Sequence, residues 1–144
     1  MHTYSKPIQI RWSDLDPNFH VLHSRYYDYG AYCRMALMVE TGITPELMVT
    51  HHIGPILLRE ECIFRREIRF GEDIRINLLV TDFKPDFSRF SIRHEITKPG
   101  EVLAATIHAD IAWIDTNRRK MVGPPEEIAQ MLEIFPRSGS GTTG

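Results

Sequence analysis

Residues 24–41, S-R-Y-Y-D-Y-G-A-Y-C-R-M-A-L-M-V-E-T, decide how this chain folds. Ser24 carries a helix-capping side chain and Gly42 follows as a stop signal, so the spacing predicts one long helix ending near Thr41. Tyr26, Tyr27, Tyr29, Ala31, Tyr32, Cys33, Met35, Ala36, Leu37, Met38 and Val39 leave it almost no polar face. A surface helix shows a single apolar stripe; one that is apolar nearly all round is expected to be wrapped by other structure. Gly30 costs about 1 kcal/mol against alanine inside a helix, and close approach of a neighbouring backbone is one reason to keep it.

Upstream, residues 7–12 alternate as a strand does, with Ile8, Ile10 and Trp12 on one face. Downstream, a short helical turn follows Thr44-Pro45. Strand-like runs then occupy residues near 57–70, 74–83, 88–97 and 102–114, divided by turn clusters at Gly71-Glu72-Asp73, Lys84-Pro85-Asp86 and Lys98-Pro99-Gly100. In the last run Leu103, Ala105, Ile107, Ala109, Ile111 and Trp113 face one way, while Thr106, His108 and Asp110 face the other. Pro124-Pro125-Glu126-Glu127 opens a short helix with Ile128, Met131 and Leu132 on one side. The arrangement that buries so apolar a helix with so few strands is an α+β one. A curved antiparallel sheet of five or six strands wraps one long central helix. Exposed sheet edges then favour pairing between two copies. Residues 1–136 are expected to form one domain, and 137–144, ending S-G-S-G-T-T-G, a flexible tail.

Composition narrows the function. A chain of 144 residues buries roughly 68–70% of its unfolded surface, enough for a core without disulfides or a structural metal. With 17 basic and 19 acidic residues the formal charge is −2, which gives no electrostatic grip on nucleic acid. Cys33 and Cys62 match no metal-ligand spacing and read as reduced, buried thiols of a cytoplasmic protein. The start M-H-T-Y-S-K-P lacks the pattern of a secretory signal, and no apolar run is long enough to span a membrane.

Between the first strand and the long helix lies D-L-D-P-N-F-H-V-L-H-S-R-Y, residues 14–26. A strand-to-helix loop with carboxylates, an amide and imidazoles can place a base beside the N–H donors of a helix start, the parts that acyl-group hydrolysis needs. The Asp14-x-Asp16-x-Asn18 run also opens calcium loops, but Phe19 and Arg25 stand where such a loop needs glycine and glutamate. His20 and His23 lack an obvious third metal ligand. Asp14 reads as a turn or cap residue, His51 and His52 as solvent-facing, and His94 and His108 as satisfied core or interface histidines. The Arg65-Arg66 and Arg118-Arg119-Lys120 clusters read as solvated faces, with coenzyme A phosphates as the other reading.

The element order and this loop together resemble the hotdog-fold thioesterases, the 4-hydroxybenzoyl-CoA thioesterase-like family in particular, over roughly residues 5–135. In that family a D-x-D segment ends in the catalytic aspartate and a tyrosine follows ten residues later; Asp16 and Tyr26 match. One bacterial subgroup has a histidine seven residues beyond the aspartate, matched by His23. The plant acyl-carrier-protein thioesterases carry D-x-N-x-H-V there, matched by Asp16, Asn18, His20 and Val21. The glycine common before the valine in the bacterial enzymes is absent, with Phe19 and His20 in its region. The resemblance implies an acyl-CoA or acyl-carrier-protein thioesterase without metal or cofactor. It further implies a homodimer or homotetramer with the site between subunits. Asp16 would be nucleophile or base, Asn18 would orient water or the carboxylate, and His20 or His23 would assist the leaving thiolate or fix the carbonyl. Ser24 and Tyr26 would contact substrate. The same fold also supports enoyl-thioester hydratases or dehydratases, and a non-catalytic acyl-thioester binder is a third alternative.

Overall fold

The computed structural model describes residues 1–138. Its strands are β1 Ser5–Ile8, β2 Ile53–Phe64, β3 Ile74–Asn77, β4 Leu79–Phe83, β5 Arg89–Lys98, β6 Val102–Asp115 and β7 Lys120–Met121. The helices are α1 His23–Glu40, α2 Pro45–Thr50 and α3 Glu126–Leu132. The sheet is antiparallel with strand order β1-β3-β5-β6-β2; β4 adds to β5 and β7 to β6. It curls around α1 as a half-barrel. Seven strands replace the expected five or six because the 74–83 run divides and β7 is a two-residue addition.

That division has a local cause. At Asn77 side chains replace part of the ladder: Asn77 Oδ1 accepts the Glu95 N–H at 2.6 Å, and the Asn77 carbonyl bonds to His94 Nδ1 at 2.8 Å. β3 therefore pairs with the end of β5 (Ile76 opposite Ile96), while β4 pairs with its start (Val80 opposite Ile92). The sheet bends between them.

α1 corrects two expectations. It starts at His23, with Leu22 rather than Ser24 in the cap position, and Leu22 offers no capping side chain. Nor is it wrapped on every side. Tyr26, Tyr29, Gly30, Cys33, Leu37 and Met38 face the sheet and are buried, while Tyr32, Met35 and Val39 remain 49%, 44% and 45% exposed. A half-barrel encloses one side of a helix only, so the rest of its apolar surface stays uncovered within one chain. Gly30 does sit at a close approach, but to side chains: a Cβ there would lie 3.2 Å from Arg34 Nη1 and 3.3 Å from His94 Cδ2.

The expected strand over 7–12 ends at Ile8. Asp14 accepts the Arg11 N–H at 3.0 Å and closes a 3-10 turn over Trp12–Asp14, which turns Trp12 outward to 67% exposure. The expected 57–70 strand begins earlier, at Ile53, and stops at Phe64. Gly54 and Pro55 lie before the expected run but belong to β2, a sheet edge, where proline is tolerated. Beyond Phe64 the N–H groups of Arg65 and Arg66 both donate to the Ala104 carbonyl, at 2.8 and 3.0 Å, and the chain leaves β6. Arg137 bridges Val80, and the Ser138 N–H donates to the Val80 carbonyl at 3.0 Å, so backbone pairing runs past residue 136. Residues 139–144 of the expected tail lie outside the described residues.

One-sided burial of α1 has a measurable consequence. In urea titrations Leu37→Ala should cost about 2–5 kcal/mol, whereas Val39→Ala should stay within about 0.5 kcal/mol. Equal losses would show that the outer face is packed as tightly as the inner one.

Candidate active site

The loop from Asp14 to Leu22 is built on one buried carboxylate. Asp14 is fully buried; it accepts from the Arg11 N–H at 3.0 Å, the Arg11 guanidinium at 3.2 Å and the Tyr29 hydroxyl at 3.1 Å, with Arg25 Nε 3.3 Å away. Burial acts to raise its pKa, but these donors and the Arg11 charge outweigh it and hold Asp14 below the usual carboxylate range. Its carbonyl accepts the Leu22 N–H at 2.8 Å, which brings the loop back to the start of α1. Asp14 is therefore an anchor.

Asp16 lies inside the closed loop. Its N–H donates to the His20 carbonyl at 2.8 Å, and its Oδ1 accepts the N–H groups of Asn18 at 2.8 Å and His20 at 3.1 Å. The His20 N–H is the main cause that lowers the Asp16 pKa, so the carboxylate is ionised at neutral pH. Its second oxygen, Oδ2, has no hydrogen-bond partner among the described residues. Phe19 takes the left-handed φ of 65°, a region that favours glycine; its N–H to the Asp16 carbonyl at 3.0 Å and its ring against Trp12 at 5.6 Å hold it there.

Residues beyond β2 complete the arrangement. The Ile68 carbonyl accepts the Val21 N–H at 2.8 Å, His20 bridges Arg69, and the Phe70 N–H donates to the Phe19 carbonyl at 3.3 Å. A cleft of 330 Å³ opens where the two segments meet. Asp16, His20, His23 and Tyr26 line it from one side, and Phe64 to Glu67 from the other. The His23 ring lies 4.6 Å and the buried Tyr26 ring 4.9 Å from that of Phe64. Burial pushes the Tyr26 phenol up to about 12, so it remains a neutral donor. His20 Nε2 sits 3.3 Å from Glu67 Oε2.

Four of the six residues singled out in the sequence thus share one cleft. Asn18 and Ser24 are exposed and do not line it; Asn18 contributes its backbone N–H to Asp16, and Ser24 its place in the first turn of α1. Because Leu22 has no capping side chain, the N–H groups of His23 and Ser24 have no acceptor among the described residues. They carry the positive end of the α1 dipole. Phe64 and Glu67 carry no signal in the sequence, and Arg65-Arg66 only that of a phosphate contact, since some forty residues separate them from the loop and no spacing rule connects the two. Among the described residues no three histidine, cysteine or carboxylate side chains converge as a metal site.

The sequence profile of the thioesterase-like superfamily matches residues 10–132. No curated protein matches the chain significantly. The fold is similar to that of a hypothetical protein from Staphylococcus aureus solved in complex with CoA. That pair has a TM-score of 0.86 and 15% identity, over 99% of this chain and 94% of the other. It is also similar to a 1,4-dihydroxy-2-naphthoyl-CoA thioesterase from Synechocystis, with a TM-score of 0.81 and 16% identity over 92% and 96% of the two chains. A DHNA-CoA thioesterase from Staphylococcus aureus gives 0.82 at 15% identity over 100% and 98%. The architecture is the hotdog fold.

The anchor role of Asp14 sets a pH dependence. Its folded pKa lies below the unfolded value of about 3.9, so its contribution is complete well above that value and fades as pH falls through the folded one. Asp14→Asn should destabilise the protein by about 1–3 kcal/mol at pH 7. Denaturant titrations at pH 7 and pH 3 should show the gap between wild type and variant narrowing in acid; a constant gap would assign the loss to something other than the charge.

Proposed function

We propose that this chain, which belongs to the thioesterase-like superfamily, hydrolyses acyl-CoA thioesters in the cleft between the Asp16 loop and the end of β2. One observation carries the reading: an ionised carboxylate with an unspent oxygen shares a cleft with the uncapped first turn of α1. A thioester carbonyl is weakly resonance-stabilised and needs a nucleophile and a home for the oxyanion. The N–H of His23, which lines the cleft, suits the oxyanion, with that of Ser24 next to it in the same turn; losing one such donor typically costs about 10²–10³ in rate. Asp16 either attacks the carbonyl carbon, expelling the thiolate and leaving a mixed anhydride that water cleaves, or takes a proton from the attacking water. Either route leaves a thiolate to be protonated, and His20 and His23 both line the cleft. Arg65 and Arg66 at its rim suit the phosphates of coenzyme A.

Thiol release followed with a chromogenic reagent on a panel of acyl-CoAs tests this, since hydration of an enoyl thioester or simple binding frees no thiol. Asp16→Asn keeps an oxygen that can accept from the Asn18 and His20 N–H groups, so the turn survives while the charge is lost. It should lower kcat/KM by about 10²-fold or more, and in the parent kcat/KM should hold through the usual carboxylate range and decline only at pH below it, because the His20 N–H lowers the Asp16 pKa. Activity within about threefold of the parent would remove Asp16 from the chemistry.

The cleft also lies at a sheet edge. β2 has twelve residues, pairs with β6 alone among the described residues, and exposes Leu57, Leu58, Ile63 and Phe64. So long an apolar edge favours pairing with a second copy. Because Phe64 belongs both to this edge and to the cleft, such a homodimer, alone or within a tetramer, would carry its sites between subunits. Sedimentation should give at least twice the chain mass, and Leu58→Lys should shift it toward the monomer with parallel loss of thiol release. A fully active monomer would remove the partner from the site.

A further inference from the structure

The flank of α1 that faces β2 holds a polar group the proposed chemistry does not use. Arg34 Nη1 donates to His94 Nε2 at 3.1 Å, and Arg34 Nη2 lies 3.4 Å from Glu60 Oε2. Guanidinium N–H groups only donate, so His94 Nε2 accepts and its Nδ1–H donates to the Asn77 carbonyl at 2.8 Å. Burial and the facing Arg34 charge push the His94 imidazole down to about 3, so it is neutral and its capacity is spent. Arg34 and Glu60 are not spent. Three guanidinium N–H groups and Glu60 Oε1 have no partner among the described residues, although the two side chains are only 11% and 17% exposed. Arg34 lines a cavity of 190 Å³ that is otherwise apolar, with Ala31, Met35, Met38, Leu57 and Ile111, and Glu60 is tied to it through its ion pair with Arg34.

The Arg34–Glu60 pair beside this cavity and the His23–Phe64 ring contact in the cleft join α1 to β2 at two points. His23, Tyr27, Ala31 and Arg34 follow one flank of α1, and Phe64, Cys62 and Glu60 alternate along the inner side of β2. Arg34 lies eleven residues beyond His23, about 16 Å along the helix, a span covered by roughly a dozen zigzag bonds of about 1.5 Å.

Resting on the thioester-hydrolysis reading, we propose that Arg34 and Glu60 recognise the distal end of the acyl chain, selecting a chain of about a dozen carbons that ends in a hydroxyl. A hydroxyl can accept from the guanidinium and donate to the carboxylate at once. A methyl offers no acceptor to the Arg34 N–H groups and no donor to Glu60, and a terminal carboxylate meets repulsion from Glu60.

The test compares dodecanoyl-, ω-hydroxydodecanoyl- and dodecanedioyl-CoA as substrates, and the matching non-hydrolysable thioethers by calorimetry. Wild type should favour the hydroxylated chain over the plain one by about tenfold in both kcat/KM and Kd. Arg34→Met should bring that ratio toward one. Glu60→Gln removes the repelling charge and should raise the diacid chain relative to the plain one by about tenfold. Each ratio is taken on one protein, so a loss of folded material or a structural role for the pair cancels from it. Equal kcat/KM for plain and hydroxylated chains in an active wild type overturns the assignment and leaves the thioesterase reading intact. Tighter binding of the hydroxylated thioether without any thiol release overturns the thioesterase reading and keeps the recognition. Equal thioether binding without thiol release removes both.

Discussion

The site hangs on a single buried charge. Asp14 gathers the Arg11 N–H and guanidinium, the Arg25 side chain and the Tyr29 hydroxyl around a carboxylate with no access to solvent. Such a group is tolerable only when every partner is in place, because an uncompensated buried charge is strongly destabilising. Its partners come from the turn after β1 and from the first two turns of α1. Satisfying one carboxylate therefore sets where the loop enters, where the helix begins and how the eight residues between them must close. Asp16, held by the N–H groups of Asn18 and His20, inherits that geometry.

A second constraint comes from the sheet. The segment after β2 leaves β6 and pairs instead with the loop, through Ile68 to Val21 and Phe70 to Phe19. Sheet and loop are thereby one hydrogen-bonded surface, and the cleft is the gap between its two layers. The division of labour between the two aspartates follows. Asp14 is enclosed by donors and serves the fold, whereas Asp16, which lines the cleft, spends one oxygen on its turn and leaves the other without a partner among the described residues. Two carboxylates separated by one residue differ in role because their surroundings differ.

The long helix, the turns that punctuate the strands and the polar loop between first strand and helix were legible in the sequence, since each depends on neighbours within a few positions. Departures arose where a hydrogen bond or an edge position that alternation does not show decides. Trp12 alternates as a core residue should, yet a carboxylate two positions on curls the chain and turns it outward. Ser24 has the chemistry of a cap, but Leu22 takes that position because the Asp14 carbonyl holds its N–H. The first long strand starts at Ile53, ahead of the expected run, because at the edge of a sheet Pro55 is tolerated.

The sequence by itself determined that Asp16, His20, His23 and Tyr26 would be neighbours, because a short loop leading into a helix keeps such residues together whatever surrounds them. It also determined an apolar helix that a curled sheet must cover. Tertiary structure alone decided which side of that helix is covered, and that Phe64 to Glu67 face the loop. It alone decided too that Arg34, Glu60 and His94 meet. Those contacts bridge tens of residues and arise from strand register and sheet curvature, quantities summed over many weak pairings that no local pattern encodes.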